Sequence, residues 1–220
     1  MKAGNVYYNC EDDLPKKIAL FPVEGALLLP GGFLSLNIFE PEMLEMVENV
    51  MLSNRLLGII QPLPSETDRF STPLYKIGCI GRITNYNEMG NGQLFIILQG
   101  ICRFTLEQEL VNKKSYRTAL IRSNIKDLEE SNIAENINRE NLLDIVEKYL
   151  TIHEIEYNWN SIMQAPTSLL VNAFSALIPF TPAEKQALLE APDIDIRAQT
   201  LLALTERSLM KQTGLQYHLN

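Results

Sequence analysis

Residues 18–41 read IALFPVEGALLLPGGFLSLNIFEP. The apolar run from Ile18 to Phe21 stops at Pro22, Pro30-Gly31-Gly32 supplies turn chemistry, and Phe33 to Ile38 resumes an apolar pattern. Pro41 suits the first position of a helix, where its missing N–H costs nothing. The stretch therefore predicts a strand, a tight turn, a second strand and then a helix.

Working toward the C-terminus, Leu44, Val47 and Met51 mark the face of that helix, and Leu56-Leu57-Gly58-Ile59-Ile60 has the unbroken apolar character of a buried strand. Gln61 to Pro73 holds Pro62, Pro64 and Pro73 among polar residues and reads as a surface loop. Ile77 to Tyr86 and Leu94 to Leu98 flank Asn87-Glu88-Met89-Gly90-Asn91-Gly92, a hairpin loop by composition. Tyr116 to Ile121 adds one more strand. Several short strands and one early helix fit a small closed or partly closed sheet.

The periodicity then changes. Leu142, Val146, Tyr149 and Leu150 share one helical face, and Leu169, Leu170, Ala173, Phe174 and Leu177 another, read here as core stripes. Thr181-Pro182-Ala183-Glu184 is a capping-box signature. Leu201, Leu202, Thr205 and Leu209 mark a last helix that Gly214 can stop. Charge changes at the same point: thirteen acidic and thirteen basic residues precede Asp127, then fourteen and six follow, so the net charge of −8 belongs to the second part. The expected division is 1–126 and 127–220.

Catalytic machinery is not legible. There is no G-x-x-x-x-G-K-[ST] phosphate loop and no G-x-S-x-G elbow, and His153 and His218 do not form an H-E-x-x-H pair. Cys10, Cys79 and Cys102 make no CxxC motif, which argues against a zinc site or a disulfide framework. No catalytic, cofactor-binding or metal-binding residue is assigned, and no cofactor is expected. The chain lacks an apolar run of bilayer length and an apolar leader segment, so a cytoplasmic location without membrane contact is expected.

The motifs occur in an order that resembles a known family. The Phe21-Pro22, Pro30-Gly31-Gly32 and Phe39-Glu40-Pro41 signatures, the strand Arg55 to Ile60, the Gly-containing strand Leu74 to Ile83 and Gly100-Ile101-Cys102-Arg103-Phe104 are similar to the N-terminal, substrate-binding domain of Lon proteases. Pro179-Phe180-Thr181-Pro182 resembles the helical part of that domain. The family often has Arg-Tyr after Glu-Pro where this chain has Glu42-Met43. The resemblance implies an α+β fold, with an N-terminal PUA-like β pseudo-barrel followed by a C-terminal helical bundle. It further implies a stand-alone, non-catalytic bacterial form without ATPase and protease domains.

By the same resemblance, the function is binding of unfolded or damaged polypeptides, as an adaptor or regulator that works with a protease or chaperone. The recognition surface would use apolar side chains left on the barrel and the groove beside the helical part, with strand addition at a sheet edge. The polypeptide-binding residues expected are Phe33, Leu34, Leu63, Phe70 and Met89. The alternative is nucleic-acid or modified-nucleotide binding, since PUA-like barrels also occur in RNA-binding proteins. Charge opposes it: a pI near 4.9 repels phosphate, and the best basic cluster, Lys113, Lys114, Arg117 and Arg122, is flanked by Glu107 and Glu109.

Overall fold

The computed structural model describes residues 1–64, 72–129 and 136–212. A two-residue ladder pairs β1 (Lys2–Ala3) with β2 (Val6–Tyr7). The deciding stretch then folds in its predicted order, as β3 (Lys17–Pro22), β4 (Phe33–Ile38) and α1 (Pro41–Met51), the helix opening on Pro41. β5 (Leu56–Ile60) is buried along its whole length and runs parallel to β3, as expected of a strand with apolar packing on both faces.

β6 (Ile77–Met89) and β7 (Gln93–Leu110) form a long hairpin, and β8 (Thr118–Ser123) follows. The ladder runs to the Met89–Gln93 pair, so the turn is shorter than Asn87–Gly92, and the two strands expected at Leu94 and Gly100 are one. A bulge explains why β7 reads as two strands. Ile80 pairs with Cys102 and Gly81 with Gly100, leaving Ile101 as an extra residue. An extra residue inverts the two-residue alternation. Leu94, Ile96 and Leu98 accordingly enter one core, and Cys102, Phe104 and Leu106 the other, with the same sequence parity.

The strand order is β4-β7-β6-β5-β3-β8, with β7 also paired to β8. The extra pairing closes β7, β6, β5, β3 and β8 into a ring, leaving β4 outside it on the first half of β7. The ring interior holds Ile18, Leu20, Leu56, Ile60, Ile80 and Phe104. The larger core lies between the other face of the sheet and the helices, and joins Phe21, Leu57 and Ile96 to Val146, Phe174 and Leu188. In α1 the buried face is Met43, Met46, Val47 and Val50, with the expected Leu44 and Met51 half-buried at its rim.

The helical part comprises α2 (Arg139–Ile152), α3 (Trp159–Gln164), α4 (Thr167–Leu177), α5 (Pro182–Glu190) and α6 (Ile194–Gln212), with α6 packed on α2, α4 and α5. The capping box at α5 is formed: the Thr181 hydroxyl accepts from Glu184 N at 3.4 Å, and Glu184 Oε2 accepts from Thr181 N at 2.8 Å. Gly214, His218 and Phe70 lie outside the described residues.

Arg103 ties the ring to the helices. It follows the bulge, and its side chain reaches Asp127 with two hydrogen bonds of 2.8 Å, while the Arg103 N–H donates to the same carboxylate at 2.8 Å. The remaining guanidinium N–H groups donate to the carbonyls of Leu189, Ala191 and Pro192 at the end of α5. Burial pulls the Arg103 pKa down, but the hydrogen bonds and charge of Asp127 outweigh it and the net shift is upward. Arg197, buried without such a carboxylate and close to Arg103, is lowered to about 10, first by burial and then by that neighbouring charge.

Candidate functional site

The segment between β3 and β4 contributes Leu27, Leu28 and Leu29 to the larger core, then turns at Gly31, whose φ of +76° is open to glycine at little cost. Gly31 N donates to Gly100 O and Gly100 N to Gly32 O, both at 2.9 Å. That close approach is why position 100 has no side chain. A Cβ there would lie against the Leu29 carbonyl oxygen well inside contact distance.

Across from the turn stands α4. Asn172 joins the two walls, since its Nδ2 donates to Pro30 O at 3.4 Å and its Oδ1 accepts from Arg197 at 3.0 Å. Arg197 is itself held by donation to Leu188 O at 2.9 Å. Between the walls runs a groove of about 650 Å³, open to solvent and largely apolar, with Phe33 on the strand side and Leu169, Ala173 and Leu177 on the helix side. Phe33, Leu169 and Leu177 are 62%, 53% and 51% exposed. Three large apolar side chains left wet around one concavity mark a contact surface better than scattered ones do.

Leu169 and Leu177 correct the sequence reading, which assigned both to the core. α4 carries two apolar stripes. Leu170, Val171 and Phe174 are buried, while Leu169, Ala173, Ala176 and Leu177 recur at helical spacing on the opposite, exposed side. A helix apolar on nearly all sides cannot be oriented from sequence, because either stripe can face the core.

The residues singled out from sequence fall in different places. Phe33 lines the groove. Leu34 is half-buried against the larger core, on the opposite face of β4. Leu63 lines a separate cavity between the proline-rich loop and the start of α5, and Met89 sits 45% exposed at the end of β6 beside the turn. Phe70 lies outside the described residues. Phe33, Leu34, Leu63 and Met89 are therefore not brought together.

Three of the four cations in the basic cluster have partners within the chain, and two of the three thiols are buried. Arg117 grips Glu109 with two hydrogen bonds of 2.6 and 2.7 Å, Arg122 meets Glu107 at 3.2 Å, and Lys114 donates to the Tyr116 hydroxyl at 2.6 Å. Burial pushes the Cys102 thiol up to about 12 and the Cys79 thiol well above its usual value, keeping both protonated and weakly nucleophilic. Among the described residues, no group of three or more His, Cys, Asp or Glu side chains is placed to hold a metal ion, and no helix is long and apolar enough to cross a membrane.

Residues 17–207 match the family described as the ATP-dependent protease La (LON) substrate-binding domain. The chain belongs to that family. Among curated relatives, Lon protease 2 of Myxococcus xanthus is 26% identical over 207 residues, which is 90% of this chain and 24% of the relative. The Lon protease of Flavobacterium johnsoniae is 26% identical over 210 residues, 91% of this chain and 25% of the relative. The chain thus spans about a quarter of the length of the Lon proteases it matches. Two solved structures share the fold. The Lon N-terminal domain protein from Xanthomonas campestris has a TM-score of 0.60 at 20% identity, covering 85% of this chain and 97% of that one. The N-terminal domain of the Mycobacterium avium complex Lon protease has a TM-score of 0.67 at 16% identity, covering 87% and 98%.

Proposed function

We propose that the chain is a non-catalytic polypeptide-binding module that takes up exposed apolar segments of unfolded or damaged proteins. The observation that carries this reading is the solvent-open apolar groove between the Gly31-Gly32 turn and α4, in a member of a substrate-binding family. A groove of this kind offers dispersion and burial to any apolar side chain and few polar groups to select among them, which suits recognition of many unrelated clients. On this reading the closed ring is a PUA-like pseudo-barrel in residues 1–126, and residues 127–220 form a helical bundle that supplies the second wall. The module would act in the cytoplasm as an adaptor or regulator that delivers clients to a protease or chaperone.

The test uses reduced, carboxymethylated lactalbumin as an unfolded client, with binding and melting temperature measured for Phe33→Ser, Leu169→Ser and Leu177→Ser. Binding should fall in each while the melting temperature holds, because an exposed side chain gives up little burial on truncation. Unchanged affinity in all three would overturn the assignment of the groove. Capture of RNA in place of polypeptide would overturn the function.

A further inference from the structure

We infer that β4 is a docking edge, and that the polypeptide taken up by this module is bound as an added strand: an extended segment with alternating apolar residues, its main chain paired to Phe33, Ser35 and Asn37. This inference rests on the polypeptide-binding reading above and specifies how the segment is held.

The direction of the free groups follows from register. Gly100 N donates to Gly32 O, and the ladder continues with Leu34 opposite Leu98, Leu36 opposite Ile96 and Ile38 opposite Leu94. Hydrogen-bonded pairs recur at every second residue of an antiparallel ladder. Leu34, Leu36 and Ile38 therefore turn their N–H and C=O groups toward β7, and Phe33, Ser35 and Asn37 turn theirs to the free side. The three lie exposed, and among the described residues no hydrogen bond beyond the ladder reaches their main chain.

Edges in soluble proteins are usually shielded by a lysine, a proline, a bulge or extreme shortness. β4 has none of these. Phe33-Leu34-Ser35-Leu36-Asn37-Ile38 is six residues without charge or proline, and its ladder with β7 runs without a register shift. The ring strands close on one another where they pair, and β6 beyond Ile83 has β7 alone as a neighbour, so the sheet has two exposed edges among the described residues. The β6 edge carries Glu88 and none of its residues lines the groove, whereas β4 is uncharged and begins at it. Alternating donors and acceptors on an extended edge accept extended backbone and little else. Apolar side chains of the added strand near Phe33 would then meet Leu169 and Leu177. Main-chain pairing is indifferent to sequence, and the groove asks only for apolar character.

The experiment compares three versions of a fluorescein-labelled eight-residue peptide that alternates leucine with threonine: unmodified, N-methylated at its leucines, and N-methylated at its threonines. Strand addition presents the N–H groups of one parity to β4, so one methylated series should bind at least tenfold more weakly than the unmodified peptide and the other within about twofold. Equal binding by both series overturns strand addition and leaves the groove reading intact. Failure of the unmodified peptide, when unfolded lactalbumin binds, also overturns it, whereas failure of both ligands overturns the polypeptide-binding reading as well. Ser35→Pro removes an outward N–H at a position where an edge strand accommodates proline, and should weaken the unmodified peptide at least tenfold with an unchanged melting temperature. Amide exchange gives a reading that needs no variant: Ser35 and Asn37 should slow when peptide is added, Leu36 being slow already. A dimer in sedimentation with Ser35 and Asn37 protected before peptide is added would assign the edge to a second copy of this chain and overturn the proposal.

Discussion

The ring and β4 are built from similar apolar residues in one sheet, yet they end differently. Where the ring closes, each strand pairs on both sides, β6 beyond Ile83 running on with β7 alone, and the interior is filled by side chains such as Leu20, Ile80 and Phe104 at 1% exposure or less. β4 has one neighbour, and its outward residues are wet. Hydrogen-bond closure, more than hydrophobicity, separates them: a closed ring satisfies its own backbone, whereas an edge leaves donors and acceptors for a ligand. Stability should therefore concentrate in the ring and its ties to the helices, and binding at the edge.

That division can be broken most severely at Asp127. Asp127→Ala leaves the Arg103 guanidinium buried without its carboxylate, a loss of roughly 3 to 5 kcal/mol. At this size that lowers the melting temperature by roughly 10 °C, and calorimetry should show it with no change in peptide affinity per folded molecule. Gly100→Ala tests the seam between the two regions. The new methyl group meets the Leu29 carbonyl, so the cost should be about 1 to 3 kcal/mol. Because the displaced backbone shapes the groove, this variant should lose affinity as well as stability, unlike Asp127→Ala.

Smaller effects sharpen the contrast. Thr181→Ala removes the α5 cap and should cost about 1 kcal/mol in denaturant unfolding, without touching binding. Glu184 gives a pH signature. Burial raises its pKa, but the Thr181 backbone and hydroxyl and the Arg207 guanidinium bring it below the usual carboxylate value. A lowered folded pKa means that its contribution is present above the unfolded value near 4.5 and is lost as pH falls through the folded one. The stability gap between the native chain and Glu184→Gln, about 0.5 kcal/mol at neutral pH for a largely superficial contact, should hold above pH 4.5 and close as the pH falls below it. Leu177→Ser should move stability least, within about 0.5 kcal/mol, yet weaken an apolar peptide about fivefold. A large melting shift there would place Leu177 in the core and dissolve the contrast.

Local chemistry made much of the fold legible. Pro41 started its helix, Thr181-Pro182-Ala183-Glu184 formed its box, and Leu56 to Ile60 became a strand buried on both faces, because each signal acts within a few residues. The long strand β7 was harder, since one bulged residue reversed its alternation and made one element look like two. At the groove, the exposure of Phe33 could be anticipated because it follows a glycine turn. That of Leu169 and Leu177 could not, because their spacing is as good a core stripe as that of Leu170 and Phe174.

By itself, then, the sequence determined the order of elements, the capped helix starts and the family, all of which depend on neighbours along the chain or on the order of motifs. Tertiary structure decided which stripe of α4 faces solvent, that the β7–β8 pairing closes the ring, and that β4 is left as the edge beside the groove. These depend on which strands and helices meet across more than a hundred residues, as Asn172 meets Pro30, and no local periodicity encodes which of two apolar faces will find a partner.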